Sequence, residues 1–167
     1  DFIYGFTNIF SYKGFDLNIF FQGSQGNDVF NGSRLFLESL QGGDNQLEVI
    51  NDRWQQPGDI TNIPAATNDP EQAASNVRVS SRFIEDGSYL RLKNLTLGYN
   101  FHIGDRLKNS ISGFRVYFTG QNLFTLTKYS GLDPEVNYRG NDNAVIGTDF
   151  FTFPQARIYS FGLNLTF

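Results

Sequence analysis

Cysteine is absent from the 167 residues. Neither disulfides nor thiolate metal sites are available to hold this fold or to do chemistry. Histidine occurs once, at His102, and a lone turn imidazole without partners makes neither a catalytic pair nor a metal centre. There is no run of Lys and Arg, and the formal net charge is -4, so no nucleic-acid partner is expected. The stretches "GSQGND" and "QGGDN" lack the strand–Gly-x-Gly–helix context and the lysine of a phosphate loop. No apolar run approaches the roughly 20 residues of a membrane helix. That absence leaves strands untouched, because a membrane-spanning β-strand takes only about 9–11 residues of alternating polarity.

What is present is aromatic and alternating. Aromatics make up 16% of the chain, and Phe alone accounts for 18 residues. Five segments read as strands by a period of two, at about 2–12, 15–24, 88–101, 112–124 and 156–167. In the second, Phe15, Leu17, Ile19 and Phe21 oppose Asp16, Asn18 and Gln22, with Phe20 as the exception. In the third, Leu95, Leu97, Tyr99 and Phe101 oppose Asn94, Thr96, Gly98 and Asn100. In the fourth, Phe114, Val116 and Phe118 oppose Arg115, Tyr117, Thr119 and Gln121. The fifth sets Tyr159, Phe161, Leu163, Leu165 and Phe167 against Ser160, Gly162, Asn164 and Thr166.

The connections alternate between short and long. A tight turn at Lys13-Gly14 and a moderate one, "HIGDRLKNSI", separate long loops at about 25–87 and 125–155. Within the first loop, "SRLFLESLQGG" predicts a short helix capped by Ser33 and stopped at Gly42 or Gly43. Leu47, Ile50 and Trp54 share a helical face, and the Pro/Asn/Asp-rich stretch from Gln55 to Asn76 reads as irregular.

A sheet with one apolar face needs a second layer, and two short helices with two polar loops cannot easily cover five strands. Lipid needs no such cover, but it tolerates only a closed barrel. Five strands cannot close one, so the expectation is an antiparallel, all-β segment of a larger transmembrane barrel. The rival reading is a soluble β-rich carbohydrate-binding or adhesion domain.

Three stretches carry a closer likeness: "SSRFIEDGSYLRLKNLTLGYNF" (80–101), "FRVYFTGQNLFTLTKYSGLDPEV" (114–136) and "YSFGLNLTF" (159–167). They resemble the C-terminal end of the SusC/RagA family of TonB-dependent outer-membrane transporters of Bacteroidota. "FTNIFSYKGFDLNIFFQGSQGNDVFN" (6–31) and "INDRWQQPGDITNIP" (50–64) are similar to the same family's preceding strands and loop. The resemblance implies a Gram-negative outer-membrane barrel of about 22 strands, of which this chain supplies about the last five. It implies a plug domain and a TonB-contacting segment outside this chain, and a SusD-like surface lipoprotein as lid. Such pairs import oligosaccharides or peptides.

Roles follow as expectations. Asn94, Thr96, Arg115, Tyr117, Thr119, Gln121 and Asn164 line the lumen, since a charge on the lipid face costs about 2–4 kcal/mol at the midplane. Arg115 is expected to pair with a plug or wall carboxylate. Arg53 and Trp54, with Tyr129, Tyr138 and Arg139, are loop candidates for contact with lid or ligand, Trp54 foremost as a loop anchor. Tyr159, Phe161, Leu163, Leu165 and Phe167 match the pattern read by the barrel-assembly machinery. No cofactor is expected. "RGNDNAVIGTD" offers the oxygens that calcium takes but not EF-hand spacing, and its plainer reading is a solvated loop.

Overall fold

The computed structural model describes residues 1–104, 110–140 and 143–167. The chain divides into a sheet unit (1–26, 88–128 and 154–167) and a loop unit (27–87 and 129–153).

The sheet unit holds β1 (Phe2–Tyr12), β2 (Phe15–Gln25), β5 (Tyr89–Phe101), β6 (Gly113–Gln121), β7 (Thr125–Thr127) and β9 (Ile158–Thr166). All pairings are antiparallel, in the order β1-β2-β5-β6-β9, and β7 follows β6 along the flank of β5. The β1–β2 hairpin turns on Lys13 and Gly14, both at positive φ (45° and 87°). Such a two-residue turn matches the twist of its strands, which explains a Gly at its second position. Both long connections leave the sheet from the same end of its strands.

The strands fall where the alternation predicts them, with two refinements. The fourth ends at Gln121, because Asn122 takes a positive φ of 51° and breaks the ladder before β7. The fifth begins at Ile158. The β2–β5 register shifts between Phe20 and Phe21. Phe20 pairs with Asn94 while Phe21 pairs with Leu92, so Lys93 is an extra residue on β5. A bulge of this kind inverts the parity of one strand. Leu90 and Leu92 therefore share a face with Leu95 and Leu97, and Phe20 stays on the polar face, its ring beside Gly5.

The loop unit holds β3 (Asp28–Asn31), β4 (Ile84–Asp86) and β8 (Thr148–Asp149), with β3 antiparallel to β4 and parallel to β8. It also holds α1 (Ser33–Leu37) and α2 (Pro70–Asn76). Val29, Tyr129 and Val136 form its buried core.

Here local readings need correction. Ser33 is not the cap of α1: that position belongs to Gly32, and the Ser33 hydroxyl accepts from the Phe151 amide at 2.7 Å. The helix stops at Leu37, well before Gly42, and Leu40 follows at positive φ. The Leu47–Trp54 face is a 3₁₀ turn over Glu48–Asp52. The stretch read as irregular contains α2, whose start is signalled in the sequence by Asp69-Pro70. The Asp69 carboxylate accepts from the amides of Glu71 and Gln72, and Pro70 opens the helix.

Candidate functional site

Two faces of the sheet unit differ in chemistry. On the apolar face, cross-strand rows read Phe15–Tyr99–Val116–Leu163 and Leu17–Leu97–Phe118–Phe161. Aromatic rings gather toward the tight-turn end, with Phe15–Tyr99, Tyr99–Phe101 and Phe101–Phe114 centroids 4.5, 4.7 and 4.8 Å apart. Toward the other end Phe6 stacks on Phe21 at 4.9 Å. These side chains are open: Phe161 is 83% exposed and Leu163 67%. Tyr159, Phe161, Leu163 and Leu165 lie on this face of β9, with Phe167 just beyond the strand.

The polar face carries Asn18–Thr96–Thr119–Ser160 in one row and Asn100–Arg115–Asn164 in another. Thr96 and Thr119 hydroxyls are 3.3 Å apart. Gln121 pairs with Asn94 and Ile158. Arg115 meets Asp16 in a two-pronged ion pair, Nε to Oδ1 at 3.1 Å and the terminal nitrogen to Oδ2 at 2.5 Å. The pair crosses β5 at Gly98, where a Cβ would land on the guanidinium and the carboxylate. Asn100 donates to Asp16 Oδ1 at 3.1 Å. Tyr117 lays its ring over Gly162 on the neighbouring strand. Both glycines are thus spaces that larger neighbours fill. The seven residues expected on the polar side, Asn94, Thr96, Arg115, Tyr117, Thr119, Gln121 and Asn164, do share one face.

The loop unit centres on a buried charge network that local sequence reading passes over. Glu38, 2% exposed, accepts from Arg34 at 2.5 Å and from Arg82 at 2.7 Å. Arg34 also reaches Glu85 at 2.9 Å, and Glu85 takes further bonds from Asn31, the Ser130 amide and the Ser130 hydroxyl. Both guanidiniums lie against the Phe83 ring, at 5.8 and 4.7 Å from its centroid. Burial raises the Glu38 carboxyl, but hydrogen bonds from Arg34 and Arg82 outweigh it and hold the group below its ordinary value. Glu85 is likewise held low, its burial offset by Ser130, Arg34 and Asn31. The one local signal is the i, i+4 spacing of Arg34 and Glu38; the partners from residues 82–85 and 130 are distant in sequence.

All five loop candidates fall in this unit. Tyr129 is buried and donates to Asp149 at 2.6 Å. Burial first, and that bond second, push its phenol far above the ordinary tyrosine range. Tyr138 packs edge-on against Phe150, and Arg139 lies over the Tyr138 ring at 5.4 Å. The Trp54 amide donates to the Ile63 carbonyl at 3.0 Å, and Arg53 reaches back to the Ile50 carbonyl. His102 is exposed. Among the described residues no three acidic or histidine side chains gather into a metal-holding group; Asp142, part of the calcium reading, lies outside the described residues.

No family model matches the chain. Its whole length aligns with TonB-dependent receptor P3 of Formosa agariphila at 39% identity over 171 residues, 16% of that protein. It aligns with TonB-dependent receptor SusC of Bacteroides thetaiotaomicron at 31% over 168 residues, 15% of that protein. Among solved structures, the RagAB peptide transporter superposes on 94% of the chain with a TM-score of 0.75 and 31% identity. The RagAB importer in its open-open state covers 99%, with a TM-score of 0.76 and 30% identity. This chain spans about one-sixth of these relatives. With its antiparallel sheet and its sequence both following theirs from end to end, the chain belongs with the TonB-dependent receptors of the SusC and RagA kind, as one segment of such a protein.

Proposed function

We propose that this chain forms part of the barrel wall and outer loops of a TonB-dependent importer in a bacterial outer membrane. The observation that carries the reading is the uncovered apolar face. Among the described residues, its rows of Phe, Tyr, Leu and Val meet no second layer within the sheet unit, as a lipid-facing wall requires. Strand length agrees. Eleven residues at about 3.4 Å each, tilted by about 45°, span about 26 Å, close to the apolar band of such barrels. The aromatic rings toward both ends are the girdles expected at the two membrane surfaces. In this reading Asp16–Arg115 and the Thr96–Thr119 row line the lumen, and the charge of Arg115 is answered by the wall itself.

The loop unit then belongs to the outer side, where Trp54, Tyr138 and Arg139 are available to ligand or to a SusD-like lipoprotein. The imported class is oligosaccharide or peptide; a RagAB relative carries peptide. The test uses the full-length protein. It should be recovered in the outer-membrane fraction and migrate differently before and after boiling. A protein that is soluble without detergent and insensitive to heating contradicts the proposal and favours a soluble β-rich binding domain.

A further inference from the structure

The charge network and the buried core leave one part of the loop unit unused. Beside Trp54 lies a groove of about 470 Å³, walled by the 61–65 segment, by the C-terminal end of α2 and by the following residues through Arg82. Two bonds fix its walls: the Trp54 amide to Ile63, and the Asn76 side chain to the Ala65 carbonyl at 3.0 Å. Two cations line it. Arg82 is committed to Glu38. Arg78 is exposed, and its guanidinium has no partner among the described residues. The Asn62 side chain is also uncommitted, and among the described residues no acidic side chain lines the groove.

We propose that this groove is a subsite for an acidic sugar unit, a ring bearing a carboxylate. The indole of Trp54 offers a flat apolar surface for a sugar face. Arg78 offers a planar fork that matches a carboxylate, and the Asn62 amide both donates to and accepts from ring hydroxyls. A peptide is the poorer fit, because no strand borders the groove and an extended chain finds no edge to join. The assignment rests on the importer reading, whose ligand it narrows.

The test is calorimetric titration of the full-length protein in detergent with tri-galacturonate, with neutral maltotriose and with tri-aspartate. Tri-galacturonate should bind. Trp54→Ala and Arg78→Gln should each weaken it by about tenfold or more, Arg78→Lys should retain part of the affinity, and maltotriose should bind more weakly and be indifferent to Arg78→Gln. Binding is read only from variants that still show heat-modifiable migration. The subsite is overturned if tri-galacturonate does not bind, if neither variant alters its binding, or if tri-aspartate binds with the same dependence on Trp54. A heat-modifiable outer-membrane protein that binds none of the probes removes this subsite and leaves the importer reading standing.

Discussion

The two units solve opposite problems with the same kinds of side chain. In the sheet unit the large apolar groups are outside: Phe10, Tyr12, Phe161 and Leu163 are all more than half exposed. Its cohesion comes from backbone ladders running through five strands. In the loop unit charged groups are inside: Glu38 sits at 2% exposure between two arginines, and Asp149 at 3% beneath Tyr129. A protein surrounded by water on all sides hides its Phe and solvates its Glu. Under the proposed reading the two units face different solvents, and the contrast sets out what each should suffer when altered.

The largest effect should come from the loop unit. Glu38→Ala removes the buried carboxylate, leaving half-buried Arg82 without its acid and Arg34 with Glu85 alone, which costs about 3–5 kcal/mol. Chemical denaturation of the full-length protein, with proteolysis of residues 27–87 as the local probe, should show this unit opening first. Next comes the apolar face. Leu163→Arg should cost about 2–4 kcal/mol when the protein folds into bilayers, whereas in a water-facing sheet the same change is nearly neutral. Refolding yield into lipid vesicles, measured by heat-modifiable migration, separates the two.

Acid sharpens the comparison. Glu38 and Glu85 have an ordinary value of 4.5 and are held lower in the folded unit. Their contribution is therefore complete above about pH 5 and is lost as pH falls through their folded values. Proteolytic resistance of residues 27–87 should drop in that window, before the sheet unit loses its strand signal in circular dichroism. Asp69→Ala removes the cap of α2 and should cost about 1 kcal/mol, visible as faster amide exchange across Pro70–Asn76 alone.

Legibility in the sequence follows the same division. A strand with one apolar face writes its period into consecutive residues, so β1, β2, β5, β6 and β9 could be read directly. The polar-face residues were legible for the same reason. The bulge at Lys93 is not legible in this way, because it shows only in the pairing of β5 with β2. The loop unit is held by contacts such as Arg34–Glu85 and Asn31–Ser130, separated by 51 and 99 positions, and no local period encodes these. The short β3, β4 and β8 escape such a reading because two to four residues cannot display alternation. The α2 helix is announced by Asp69-Pro70, but the Asn and Pro around it outweigh that cap signal in a local reading.

The most direct test of the account uses the absence of cysteine in this segment. Single cysteines placed in turn at positions 159 to 166 of the full-length protein, spin-labelled and reconstituted in lipid vesicles, report accessibility to oxygen and to a water-soluble nickel complex. Labels at 159, 161, 163 and 165 should be oxygen-accessible and shielded from nickel, and those at 160, 164 and 166 should show the reverse preference. Uniform access of the nickel complex along the strand would contradict a lipid-facing wall.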